Sequence, residues 1–148
     1  MKEFLIGLSE SVLGNRVFQI CALFVVFDTV FGCMRAIKDK KINSSFGIDG
    51  AIRKAAMLFS LVFLAIFDSA VYIDLMGFVP AEISKIANLG KVGTAEFFGL
   101  LYIAYELVSV LKNLTLCGLP LKKVWESVHG FLEKYTDELP DKEEKWAE

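Results

Sequence analysis

The sequence predicts an all-α membrane protein: three transmembrane helices at about 17–34, 55–76 and 92–111, then a cytoplasmic amphipathic helix at about 121–135, with the chain assembled as a homo-oligomer. Three features carry that expectation. Three apolar stretches are each long enough to cross a bilayer whose hydrocarbon core is about 30 Å thick, at about 1.5 Å rise per residue. Each stretch has a carboxylate set into it: Asp28 in the first, Asp68 in the second with Asp74 near its end, Glu96 and Glu106 in the third. Basic residues gather on alternate connections, dense after the first and third stretches and sparse after the second.

The 148 residues are 55% hydrophobic and 23% charged, with a mean hydropathy of +0.51. That is too apolar for an ordinary soluble domain, and the charges are segregated instead of scarce. A soluble helical protein fits poorly, because residues 18–27 and 57–67 have no polar face wide enough for water. The expected division is a three-span domain over 1–120 and a cytoplasmic amphipathic helix with an acidic tail over 121–148. Cys21, Cys33 and Cys117 match no zinc or redox spacing. No nucleophile, base and oxyanion set is visible, so an enzyme, a cofactor, a metal and nucleic acid are not expected.

Taken in order, residues 1–15 place Phe4, Leu5, Leu8 and Val12 at helical spacing, which suggests a short amphipathic helix. No small-residue cleavage site follows the first apolar run, so that run is expected to remain as an anchor. Asn43, Ser44, Ser45, Gly47 and Gly50 read as a turn or hinge before the second span, with Asp49 as its cap. Arg53 and Lys54 suit the phosphate level of the bilayer. Pro80 opens a short outer segment, and Gly118 and Pro120 close the third span. Beyond it Leu121, Val124, Trp125, Val128, Leu132 and Tyr135 recur at three- and four-residue intervals among lysines and glutamates. That helix is expected on the inner leaflet or against its copies, with His129 at its surface. The tail over 136–148 is expected to be disordered.

Arg35, Lys38, Lys40, Lys41, Arg53 and Lys54 crowd the first connection against Asp39 and Asp49, whereas Lys85 and Lys91 are the basic residues of the second. By the positive-inside rule the N-terminus lies outside and the C-terminus in the cytoplasm.

The third span is the most informative. At about 100° per residue, Gly99, Tyr102, Glu106, Ser109 and Asn113 fall within a sector of about 80°. Two readings stand: helix–helix packing through small and polar residues, and a face that lines a pore. In the first span Cys21, Asp28, Gly32 and Arg35 share a face, with Gly32 open to close approach by another helix. Counting from the basic residues, Asp28 and Glu106 both lie about 10 Å from the inner boundary, while Asp68 and Glu96 lie about 21 and 24 Å from it. Two acidic layers are therefore expected, Asp28 with Glu106 and Asp68 with Glu96, sheltered by gathering copies and partly protonated at rest.

The motif order resembles the phage-lysis and toxin-secretion holins. The resemblance runs through Phe27-Asp28-Thr29 with Gly32, Ala36-Ile37-Lys38, the stretch Asn43-Ser44-Ser45-Phe46-Gly47-Ile48-Asp49-Gly50, and Ile52-Arg53-Lys54. It returns at Glu96-Phe97-Phe98, Tyr105-Glu106, Ser109-Val110-Leu111-Lys112-Asn113 and Cys117-Gly118-Leu119-Pro120. The pattern is most like the TcdE-type holins encoded beside the large glucosylating toxins of clostridia. The resemblance implies a protein of the bacterial cytoplasmic membrane that oligomerises and opens a pore or lesion for a large toxin or endolysin. It brings no catalytic residues, and it singles out Asp28, Gly32, Asn43, Gly47, Gly50, Glu106, Asn113 and Gly118 as structural positions. Two alternatives of other classes stand beside it: a small ion channel or proton-coupled membrane protein, which the intramembrane acids favour, and a membrane scaffold that recruits a soluble partner through the C-terminal helix.

Overall fold

Asn15 starts the first membrane helix. Its side-chain oxygen accepts the Phe18 amide at 3.1 Å, which satisfies one of the donors that every helix start leaves open. In the computed structural model, which describes residues 12–40, 44–136 and 139, this helix, α1, runs Arg16–Lys38. α2 runs Ser44–Ala70, α3 Ala81–Ala87, α4 Thr94–Leu116 and α5 Lys122–Leu132. A single 3-10 turn, Met76–Phe78, lies between α2 and α3. Among the described residues three helices, Arg16–Lys38, Gly47–Ala70 and Thr94–Leu116, are long and apolar enough to cross a membrane.

The second span departs from its expected bounds at both ends. Helix begins by Ser44, so Gly47, Asp49 and Gly50 lie inside α2; they form neither a hinge nor a cap. Helix is how a backbone entering a bilayer satisfies its own polar groups, and that outweighs the roughly 1 kcal/mol that each glycine costs in a helix. Asn43 lies outside the described residues, as do most of the N-terminal segment and of the acidic tail. At the other end α2 stops at Ala70. Asp74 is not a membrane acid: its side chain accepts the Met76 amide at 3.0 Å and forms a local turn. The Leu75 amide bonded to the Val92 carbonyl at 2.7 Å pins this outer segment to the start of α4.

α4 is the hub, and it touches α1, α2 and α5. It runs parallel to α1 and antiparallel to α2, as a chain crossing three times requires. At the outer end α1 and α4 come very close: a Cβ placed on Gly99 would sit 2.5 Å from Val17 Cγ1. Gly32, the glycine expected to admit a neighbour, is less tightly packed, with Asn113 Nδ2 at 3.6 Å from a Cβ there. At the inner end the Lys38 ammonium donates to the Leu116 carbonyl at 2.8 Å, a cation on the negative end of a helix.

Gly118 explains how α4 ends. It sits at φ +107°, the left-handed region. The Leu119 amide reaches back to the Leu114 carbonyl at 3.2 Å and the Gly118 amide to Thr115 at 2.9 Å, a Schellman closure that favours glycine at this position. The chain then reverses into α5, which packs on α4 through Trp125 and Leu132 against Val108. His129 is not at the surface: it is 4% exposed, with its ring 5.0 Å from that of Trp125.

Because the stiff, branched Val17 fills the space above Gly99, Gly99→Ala is expected to destabilise the protomer by about 1–3 kcal/mol, as overpacking does. Val17→Ala in the same chain should recover much of it; detergent-titrated unfolding measures both.

Candidate functional site

The polar side chains of the three long helices meet in two layers. The inner layer is built around Lys54 of α2. Its ammonium donates to Asp28 Oδ2 of α1 at 2.7 Å and to Glu106 Oε2 of α4 at 2.6 Å. Asn113, two turns along α4 from Glu106, donates its amide to Asp28 Oδ1 at 2.8 Å, and Arg35 reaches Asn113 Oδ1 at 3.4 Å. Glu106 is 1% exposed. Each of the three helices thus supplies one member of a charged triad, and Asn113 links it to a second cation.

Lys54 is the residue sequence reasoning misplaced. The sequence places it at the phosphates, yet its flexible stem carries the charge inward to two carboxylates. Its neighbour Arg53 also points to α4 and donates to Tyr105 Oη at 2.6 Å. The signal was available: Lys54 follows Arg53 directly, and a lysine one residue inside an apolar helix stands on a different face from its neighbour. The expectation that copies must gather to shelter Asp28 and Glu106 is therefore corrected. One protomer shelters both, with a counter-charge of its own.

The outer layer is a helix cap. α4 begins after Gly93, which has no side chain to serve as its own cap. Asp68 of α2 fills that role from across the bundle: Oδ1 accepts the Thr94 amide at 3.0 Å and the Thr94 hydroxyl at 2.8 Å, and Oδ2 accepts the Ala95 amide at 2.8 Å. The carboxylate also faces the positive end of the α4 dipole. Glu96 Oε2 accepts the Gly93 amide at 2.9 Å, and its other oxygen accepts from the Asn15 side chain. Asn15 therefore joins the starts of α1 and α4. A Cβ on Gly93 would lie 2.7 Å from Asp68 Oδ2 and 2.8 Å from Glu96 Oε2, so glycine is what lets both acids approach.

Between the layers, Tyr102 Oη and Ser60 Oγ of α2 are 3.0 Å apart. Of the stripe residues, Gly99 meets Val17 and Leu61, Tyr102 meets Ser60, and Glu106 and Asn113 join the triad. Ser109 is half-buried and is placed with none of these groups. Gly32 stands beside Asn113. Gly47 and Gly50 lie apart from both layers, with nothing within 4 Å of a Cβ at either; the side chains of Ser44 and Ser45 are outside the described set. The three cysteines are free thiols, Cys21 buried and Cys33 exposed.

The arrangement can hold charge inside a membrane-sized bundle, and it offers no nucleophile paired with a base. The profile of the bacteriophage holin family matches residues 8–134 of the chain. A protein named holin-like protein TcdE, from Clostridioides difficile, is 41% identical over 141 residues, covering 94% of this chain and 85% of that one. No solved structure matches.

Two outcomes test these layers. Lys54→Met leaves two buried carboxylates without their cation and is expected to cost about 3–5 kcal/mol, whereas Glu106→Gln keeps a neutral Lys54–Asp28 pair and should cost far less; unfolding in detergent, with Lys54→Met/Glu106→Gln as the rescue, measures this. Asp68→Asn turns an amide donor toward the Ala95 N–H and should weaken the start of α4 by about 1–2 kcal/mol, seen as faster hydrogen exchange at Thr94, Ala95 and Glu96 while the inner end of α4 is unchanged.

Proposed function

Since the chain belongs to the bacteriophage holin family, we propose that its copies associate in the bacterial cytoplasmic membrane, with the N-terminus outside and the C-terminus in the cytoplasm, and open a passage for a large folded protein, a toxin or an endolysin, that has no signal peptide. The holin assignment rests on the family match across residues 8–134, and three apolar helices make this a membrane protein. The lysine and arginine distribution supports the orientation. Residues 1–120 form the membrane-inserted part, and 121–148 lie on the cytoplasmic side.

The protomer's own shape supports self-association. Three helices packed through their polar faces enclose no space for a protein, so a passage is formed between copies. Gly99, Tyr102, Glu106 and Asn113, with Asp28 and Gly32, serve as the interhelical face that holds one protomer together. Asp68 and Glu96 serve as the outer latch. Side-chain contacts between α1, α2 and α4 at both layers support this reading over one in which the stripe lines the passage.

Ion conduction alone is the competing reading, favoured by the ionisable cluster within the spans. Expression in a bacterium that carries a folded cytoplasmic reporter enzyme separates the two. Loss of viability with the enzyme appearing outside the membrane is the expected result; loss of ion gradients with the enzyme fully retained overturns the large passage.

A further inference from the structure

The connection from α2 to α4 lies at the outer end of the bundle, yet it exposes Val71, Tyr72, Ile73 and Phe78, the last at 73%. Two observations identify what covers these side chains. One is continuity with the span. Phe59, Phe63, Phe67 and Val71 follow one another at four-residue intervals, and all are exposed. The Val71 amide still bonds to the Phe67 carbonyl at 2.8 Å, so the row runs past the end of α2 without a break. Leu61 is buried beside Gly99. Phe63 stands two residues on, about 200° round the helix, and so faces away from the bundle. On a helix that crosses the bilayer, such a row faces acyl chains.

The other is depth. Asp68 caps Thr94 and Ala95, so it is level with the start of α4, and Ala70 lies about 3 Å farther out. The chain does not continue outward from there. The Leu75 amide bonds to the Val92 carbonyl, and the turn Met76–Phe78 sets the Phe78 ring edge-on to that of Phe97, with centroids 6.5 Å apart. Phe97 belongs to the first turn of α4, and its ring meets that of Phe98 at 5.6 Å. Gly99 faces α1, and Phe97, two residues before it, stands about 200° round the helix. Phe78 therefore returns to the start of α4 on the flank turned away from α1.

We propose that residues 71–78 dock on phospholipid: Val71 and Phe78 enter the acyl-chain boundary of the leaflet at this end of the bundle, and the connection is a strap lying in the membrane surface instead of a loop in water. Aromatic side chains collect at that boundary. The charged groups of the connection, Asp74, Glu82, Lys85 and Lys91, are also exposed. Two acids and two lysines cancel, so the docking draws on apolar contact and not on the charge of the lipid. Asp74 keeps one oxygen on the Met76 amide. α3, which exposes Ile86 beside Glu82 and Lys85, has a mixed face suited to headgroups. The docking depends on the chain being a membrane protein and is independent of what passes through its assembly.

Nitroxide labels on the full chain in phosphatidylcholine vesicles test the strap. Val71→Cys and Phe78→Cys, each with Cys33→Ser and Cys117→Ser and with the buried Cys21 left in place, report its position. In the same background Phe63→Cys is the hydrocarbon reference and Lys91→Cys the water reference. Oxygen concentrates in hydrocarbon, and a nickel chelate, present on both sides of the membrane, stays in water. The ratio of oxygen to nickel collisions at 71 and 78 is expected to be severalfold above that at 91, and to stay unchanged when anionic lipid is added. A ratio no higher than that at 91, at either position, overturns the docking. So does a lipid-like ratio that develops only with anionic lipid. A ratio at 63 as low as that at 91 places α2 itself in water and rejects the membrane placement together with the strap.

Discussion

Lys54 joins three helices that have little other reason to choose one another. In hydrocarbon the faces of neighbouring helices gain nothing from excluding water, so pairing depends on close packing and on polar contacts. α1 and α4 have the first, through the missing side chain of Gly99 under Val17. α2 depends on the second. It reaches α4 by Lys54 and Arg53 at the inner end, Ser60 in the middle and Asp68 at the outer end. Its other face is a row of exposed aromatics, Phe59 at 75% and Phe63 at 66%. Beside those polar contacts, α2 packs on α4 through Leu61, which is 2% exposed and lies against Gly99.

The two polar layers do different physical work. The outer one completes backbone hydrogen bonds: Asp68, Glu96 and Asn15 satisfy donors that the starts of α1 and α4 leave open. Its carboxylates are stabilised by amides and the helix dipole and need no cation. The inner one balances charge. Two carboxylates and one ammonium share a buried site, and Arg35 approaches through Asn113. A protomer built this way is already satisfied in its interior. What remains to be covered or hydrated is its outer surface, where apolar side chains such as Met34, Ile52 and Val124 stand beside exposed Lys38, Asp49 and Lys123.

Periodicity and length made the three spans and the last helix legible in the sequence, because a bilayer permits few backbone arrangements and hydropathy marks them directly. The motif order made the family legible. The polar sector of α4 and the pairing of Asp28 with Glu106 at one depth followed from helical geometry alone. The limits of α2 did not, since glycines at 47 and 50 signal a turn by propensity whereas the bilayer environment favours unbroken helix. Asp74 had the same ambiguity, a carboxylate near an apolar end that turned out to form a local turn.

The amino-acid sequence by itself determined which stretches are long apolar helices and which residues on each share a face, because these depend only on rise and turn along one chain. Which face meets which neighbour was decided by tertiary structure. Lys54 swings inward, Asp68 caps a helix from across the bundle, and α5 folds back on Val108. Those outcomes depend on side-chain reach and on the rotation of helices about one another, which no single-helix pattern encodes.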